Sequence, residues 1–239
     1  MILLLFGLVG GGVGLAVRYY LSHFILWLEE DVYQAYQYMF HGNLSSFQQS
    51  VSRFSPLTCE HIFIFCFSFS TLFIGCYILL PSPDEAVLIA SYITILICIS
   101  IIDWVYQLIS VQLCLLLTVL GMAAAYWEIS PLTLSQSIHS GLIGFGSFYI
   151  VYHLAKWGYQ KEALGRGDYW LMLGLSSMLH WSLLPLFVLL ACLCAISYAV
   201  WLKFNHKMCL SLPFAPFLCI AALLVILLNW YAGSMMISV

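Results

Sequence analysis

AVLIASYITILICISIID, residues 86–103, carries no charge over its first seventeen positions and then ends on a carboxylate. About 20 apolar residues in a helix cross the ~30 Å hydrocarbon core of a bilayer, and somewhat fewer suffice when flanking side chains snorkel. Similar apolar runs recur along the whole chain. Of its 239 residues 64% are hydrophobic and 7% charged, with a mean hydropathy of +1.02. A soluble domain carries about 25% charged residues, so most of this exterior must face lipid. Net charge is −3, and the seven Lys and Arg residues are scattered. No basic patch can neutralise a run of phosphates, which excludes nucleic acid as a partner. The nine cysteines form no Cys-x-x-Cys pair and fall mostly inside apolar runs, where Cys behaves as a small buried hydrophobe.

The expected fold class is all-α, a polytopic membrane bundle of about eight transmembrane helices. Spans are expected near residues 1–17, 61–80, 86–103, 108–127, 136–154, 169–182, 184–202 and 213–234. The first has no basic residue ahead of it and Arg18 behind it, the reverse of a signal peptide, and is read as a retained span. A single helix over 169–201 would reach about 50 Å. Pro185 interrupts that stretch, which is therefore split into a hairpin. With the N-terminus outside, the cytoplasmic segments hold Arg18, Arg53, Lys156, Lys161, Arg166, Lys203 and Lys207, while the outer loops hold no basic residue. Short cytoplasmic loops collect Lys and Arg, so the charges support this orientation. The polar stretch 22–60 reads as a partly ordered surface or interfacial segment. Residues 1–83 form one division, two spans and their loop, and 84–239 a second with six spans.

Two acids stand apart from those in solvated loops. Asp103 closes an apolar run at the bilayer edge, where a carboxylate is costly and becomes a functional candidate. Asp168 follows Gly165 and Gly167 and directly precedes apolar sequence. The glycines allow unusual backbone conformations and close approach to another chain. A helix N-terminus would favour the ionised Asp168, and an Asp N-cap is the plain structural alternative. One acid ends a span running inward and the other begins a span running outward, so both fall at one membrane level. Two carboxylates meeting in a low-dielectric site keep one proton between them. Such a pair can activate water against a peptide carbonyl and protonate the leaving nitrogen.

Three stretches, in order, resemble the type IV prepilin peptidases: Ser100-Ile101-Ile102-Asp103, the segment from Lys161 to Asp168 with its Gly-x-Gly-Asp, and Leu212-Pro213-Phe214-Ala215-Pro216-Phe217-Leu218. The likeness covers about residues 84 to 225. It implies an eight-span aspartyl peptidase of the bacterial inner membrane, with Asp103 and Asp168 catalytic at the cytoplasmic face. Gly165, Gly167, Pro213, Phe214 and Pro216 would support the site or the substrate. The implied partners are a type IV prepilin or pseudopilin, the lipid bilayer and a pilus or secretion assembly machinery.

Departures from the family pattern qualify this. Ile109-Ser110-Val111 stands where the family has Leu-Pro-Asp, and Trp170 where it has Lys. The first loop offers Cys59 instead of two Cys-x-x-Cys pairs, and one thiolate cannot build a tetrahedral zinc site. No metal and no cofactor are therefore expected. Gly10-Gly11-Gly12-Val13-Gly14-Leu15 replaces the family's Gly-Ser-Phe-x-Asn-Val, which puts methylation of the new N-terminus in doubt. His139 and His180 are read as structural, and His153 and His206 as candidates for the site mouth. Gly141, Gly144 and Gly146 are read as packing residues. The rival class is a proton- or cation-coupled transporter using Asp103 and Asp168. Transport acids, however, usually lie near the midplane of broken helices.

Overall fold

The computed structural model describes residues 1–40, 55–59, 61–159, 165–205 and 212–237. Arg53, Lys161, His206 and Lys207 lie outside them. The described residues form eight α-helices, α1 (Ile2–Phe40), α2 (Ile62–Leu79), α3 (Pro83–Tyr106), α4 (Val111–Tyr126), α5 (Leu134–Tyr159), α6 (Arg166–Ser176), α7 (Leu184–Phe204) and α8 (Ala215–Ile237), with a 3-10 turn at Trp181–Leu183. No strand occurs among them. The protein is a polytopic helical membrane protein. By length and apolar composition α1, α2, α3 and the Trp181–Phe204 segment are each able to cross a bilayer, while α4 and the apolar part of α8 are shorter.

Local chemistry accounts for the helix ends. Ser82 caps α3 by accepting from the Glu85 N–H at 3.2 Å, with Pro83 following and Asp84 and Glu85 in the first turn. Thr133 and Gln136 open α5 with a reciprocal capping box, Thr133 N to Gln136 Oε1 at 3.1 Å and Gln136 N to Thr133 Oγ1 at 3.3 Å. The expected break between the sixth and seventh spans is present, but α6 stops at Ser176 rather than reaching 182. Its last turn tightens, Met178 N donating to Leu175 O and Leu179 N to Ser176 O. Pro185 sits in the first turn of α7, where its missing N–H costs nothing.

The chain divides into two compact units, Met1–Leu80 and Pro81–Val239. In the first, a methyl on Gly10 would lie 2.5 Å from the Phe69 carbonyl oxygen, and one on Gly14 would lie 2.5 Å from that of Phe65. These glycines bring α1 against α2 backbone to backbone, the small-residue packing that joins helices in lipid. Ser70 Oγ donates to Gly7 O at 2.8 Å, and Arg18 Nε to Cys59 O at 2.7 Å. One expectation needs correction. The stretch from Ser22 does not leave the helix, and α1 runs unbroken to Phe40. Beyond Gly14 it contains neither Gly nor Pro. Side chains one turn apart support it: Tyr19 and His23 rings lie 4.2 Å apart, and Gln34 donates to Glu30 at 3.0 Å. A helix of 39 residues is about 58 Å long, so its polar second half extends beyond the apolar thickness.

In the second unit α6 is the buried element, packed against α4, α5 and α8. Leu171, Met172 and Leu175 are fully buried. Gly121 of α4 and Gly144 of α5 face Ser177 and Ser176, while Gly174 of α6 lies where a methyl would come within 2.9 Å of the Cys114 carbonyl. Gly141 faces Leu173, whereas Gly146 meets nothing and packs no neighbour. Ser137 Oγ donates to Ser177 O at 2.8 Å, anchoring the end of α6 to α5.

Candidate active site

Asp103 occupies the last turn of α3 and is 6% exposed; Asp168 occupies the first turn of α6 and is 5% exposed. Both line one cavity of about 710 Å³ with Gln107, Ile109, Gly167, Trp170 and Phe214. Two acids 65 positions apart in the sequence thus share one cavity.

Each carboxylate is held by one backbone amide. Asp103 Oδ2 accepts from Ala215 N at 3.0 Å. Ala215 opens α8, so its N–H is one of the donors that a helix N-terminus leaves without an intrahelical acceptor. Pro216 has no N–H, and Phe217 and Leu218 donate to Phe214 O. Asp168 Oδ2 accepts from Gly165 N at 3.0 Å, while Asp168 N donates to Gly165 O at 3.2 Å. Asp168 thus folds back on the chain that leads into α6. It stands ahead of the apolar stretch that begins at Tyr169. Burial first, and the charge of Asp103 second, push its carboxyl up to about 7, with the Gly165 N–H acting in the opposite direction.

The glycines before Asp168 act through space rather than through backbone freedom, since no described glycine has a positive φ. A side chain on Gly167 would collide with Ile109, and a methyl on Gly165 would lie 3.1 Å from Asp168 Oδ2. Ile109 therefore seats the turn after α3 directly on the turn before Asp168. Gln107 makes that turn possible. It ends α3 in the left-handed region at φ 54°, its N–H donating to Asp103 O at 2.9 Å. Ser110 then caps α4, accepting from Leu113 N at 3.5 Å. The departures Ile109-Ser110-Val111 thus serve the turn, and Trp170 stacks edge-on against Phe145 at 5.2 Å.

Gly165, Gly167, Pro213 and Phe214 line the acid cavity. Pro216 lies instead on a neighbouring apolar trough between α3 and α8. His153 is exposed and meets Tyr149 at a tilt and Tyr152 edge-on, and it is not part of the cavity lining. His139 bonds within its own helix at Ser135, and His180 caps the 3-10 turn at Ser182. The sequence reasoning missed the Ala215 amide, the Gln107 turn, and the bond from Arg166 Nε to Tyr152 OH at 3.2 Å. For Ala215 a signal existed: a residue between two prolines, at a helix start, has a free N–H. Among the described residues no group of three or more His, Cys, Asp or Glu side chains is placed to hold a metal ion.

The fold and the cavity define a polytopic membrane protein with two buried, mutually interacting carboxylates, an arrangement suited to paired acid–base chemistry. Residues 90–200 match the model of the Type IV leader peptidase family. The chain is 40% identical over 224 residues, 94% of its length and 96% of the relative's, to a Haemophilus influenzae protein named prepilin leader peptidase/N-methyltransferase. It is 37% identical over 109 residues, 46% of this chain and 39% of the relative, to an Escherichia coli type 4 prepilin-like proteins leader peptide-processing enzyme. A Pseudomonas aeruginosa prepilin leader peptidase/N-methyltransferase is 32% identical over 134 residues, 55% of this chain and 46% of that protein. No solved structure matches. The chain belongs to the type IV leader peptidase family.

Proposed function

We propose that this protein removes the short basic leader of type IV prepilins or pseudopilins at the cytoplasmic face of a bacterial inner membrane, with Asp103 and Asp168 as its catalytic pair. The observation that carries the reading is their burial on one cavity with Asp103 raising the proton affinity of Asp168. Near neutral pH the pair then holds one proton. The ionised member takes a proton from water as the water oxygen adds to the scissile carbonyl carbon. The protonated member gives its proton to the nitrogen as the C–N bond breaks, leaving the new carboxyl and the new amine. The amides of Ala215 and Gly165 keep both carboxylates oriented.

The one-sided basic residues support a cytoplasmic site, and the peptidase core is assigned to residues 84–239. The bond to be cut lies between a basic leader and an apolar helix, and an acid pair at a membrane edge suits that position. Removal of the leader is not followed by methylation of the new N-terminus in this reading, because the first loop lacks the Cys-x-x-Cys pairs and the first span carries Gly10-Gly11-Gly12-Val13-Gly14-Leu15. Co-expression with a prepilin tests the reading, leader removal being followed by mass spectrometry. The wild-type chain and Asp84→Asn, in the first turn of α3 at the end away from Asp103, are expected to process. An unprocessed prepilin beside a stably inserted wild-type chain would defeat the peptidase reading and favour the transporter class.

A further inference from the structure

Beside the acid cavity, α3 and α8 leave a second opening of about 410 Å³, a trough walled by Ile93, Ile97 and Trp104 on one side and Pro216, Ile220 and Leu223 on the other. Ser100 supplies the single hydroxyl among its lining residues. From Ile93 to Trp104 it follows α3 for about 16 Å at the helical rise. Trp104 is 50% and Ile220 51% exposed, so no described element closes the trough. One end abuts the acid site. Trp104 follows Asp103, Ser100 lies a turn before it, and Pro216 follows Ala215, whose N–H holds Asp103 Oδ2 at 3.0 Å.

We propose that this trough seats the apolar helix of the precursor, so that the bond just ahead of that helix falls at Asp103. The inference rests on the peptidase reading and deepens it. The lining suits an uncharged helix and offers nothing to a charged segment, whereas the adjoining cavity has Asp103, Gln107, Arg166 and Asp168 on its wall. A lipid acyl chain is as apolar as the bilayer it would leave and gains little from a shaped trough. A helix gains close van der Waals packing, the force that joins helices in lipid. Two compartments side by side, one bearing charged side chains and one apolar, match a substrate that changes from polar to apolar at the scissile bond.

The test compares two substrates for each variant: the full-length precursor in phospholipid vesicles, and a short peptide containing the leader and cleavage site without the apolar helix. Ile97→Trp and Ile220→Trp fill the trough, and Leu142→Trp, at an exposed position on α5, is the comparison. The ratio of full-length to short-peptide cleavage is expected to fall about tenfold or more in each trough variant and to hold in Leu142→Trp, because binding energy from the remote helix is lost. An unchanged ratio overturns the proposal and leaves the trough to lipid. A photoreactive phenylalanine analogue replacing Trp104, already a large aromatic on the trough wall, is expected to cross-link the precursor, and cleavage without that cross-link overturns it equally. If the wild type cleaves neither substrate, the peptidase reading itself fails, and this inference fails with it.

Discussion

The two units use glycine in the same way and to different ends. Along the most apolar part of α2, 17% of residues are buried, against 56% for α3. In the first unit Gly10 and Gly14 join two helices and leave most of the surrounding surface for lipid. In the second, Gly121, Gly144 and Gly174 close α4 and α5 on α6, which at 11 residues is about 16 Å long and cannot cross a bilayer by itself. Small residues let α6 sit inside the bundle, and its first turn thereby delivers a carboxylate to the cavity that Asp103 also lines. Close packing in the first unit makes a helical hairpin, whereas in the second it positions an acid.

The sharpest contrast between the units should appear at the acids. Asp103→Asn and Asp168→Asn keep the side-chain shape and remove an ionisable group. Each alone is expected to lower prepilin processing by about a thousandfold or more, as for a member of a concerted unit, while membrane insertion remains normal. Wild-type rates in both would erase the functional difference between the units.

Gly167→Ala drives a methyl into Ile109. Overpacking of this kind costs about 1–3 kcal/mol, and here the strain falls on the turn that holds Asp168. Processing should drop by about tenfold to a hundredfold, and Ile109→Ala in the same chain should recover part of it. Failure of the double variant to recover would mean that the two turns are not in register through this contact.

Gly10→Val meets the Phe69 carbonyl in the first unit and should destabilise the α1–α2 pair by a similar 1–3 kcal/mol. Lower yield or thermal stability is the expected result, with processing per folded molecule within about threefold of wild type. A loss as large as that of Gly167→Ala would show that the first unit also governs the acids.

The smallest effect concerns methyl transfer. With S-adenosylmethionine and a processed pilin, mass spectrometry should find the new N-terminus unmethylated. A stoichiometric gain of one methyl would show that the first unit retains this chemistry despite its altered glycine and cysteine pattern.

Much of this was legible before any coordinates. Apolar runs bounded by Pro, Ser and charged residues marked the eight helices, because the length and polarity of a bilayer leave few alternatives. That Asp103 and Asp168 should come together followed from counting helix directions, and both line one cavity. What remained hidden depends on atoms distant in sequence. Asp103 and its amide partner at Ala215 are 112 positions apart, and no local pattern in α3 announces that bond. The left-handed Gln107 was also invisible, since glutamine has no preference for that region. The run of α1 to Phe40 was obscured because Ser22, Glu29 and Asp31 read as polar surface, although nothing there breaks a helix.

The central claim is that the two carboxylates share one proton, and titration of Asp168 tests it most directly. Infrared difference spectra of the protonated carboxyl band, with Asp168 assigned through the Asp168→Asn variant, would follow its ionisation. Its ordinary value is 3.8, and burial and Asp103 move it up to about 7. Asp168 should therefore remain largely protonated at pH 6 and lose its proton as pH rises through 7. In Asp103→Asn the like charge is gone, so the midpoint should shift to lower pH, though not to 3.8 while the group stays buried. An Asp168 that ionises near pH 4 in the wild type, or whose midpoint ignores Asp103→Asn, would contradict the account.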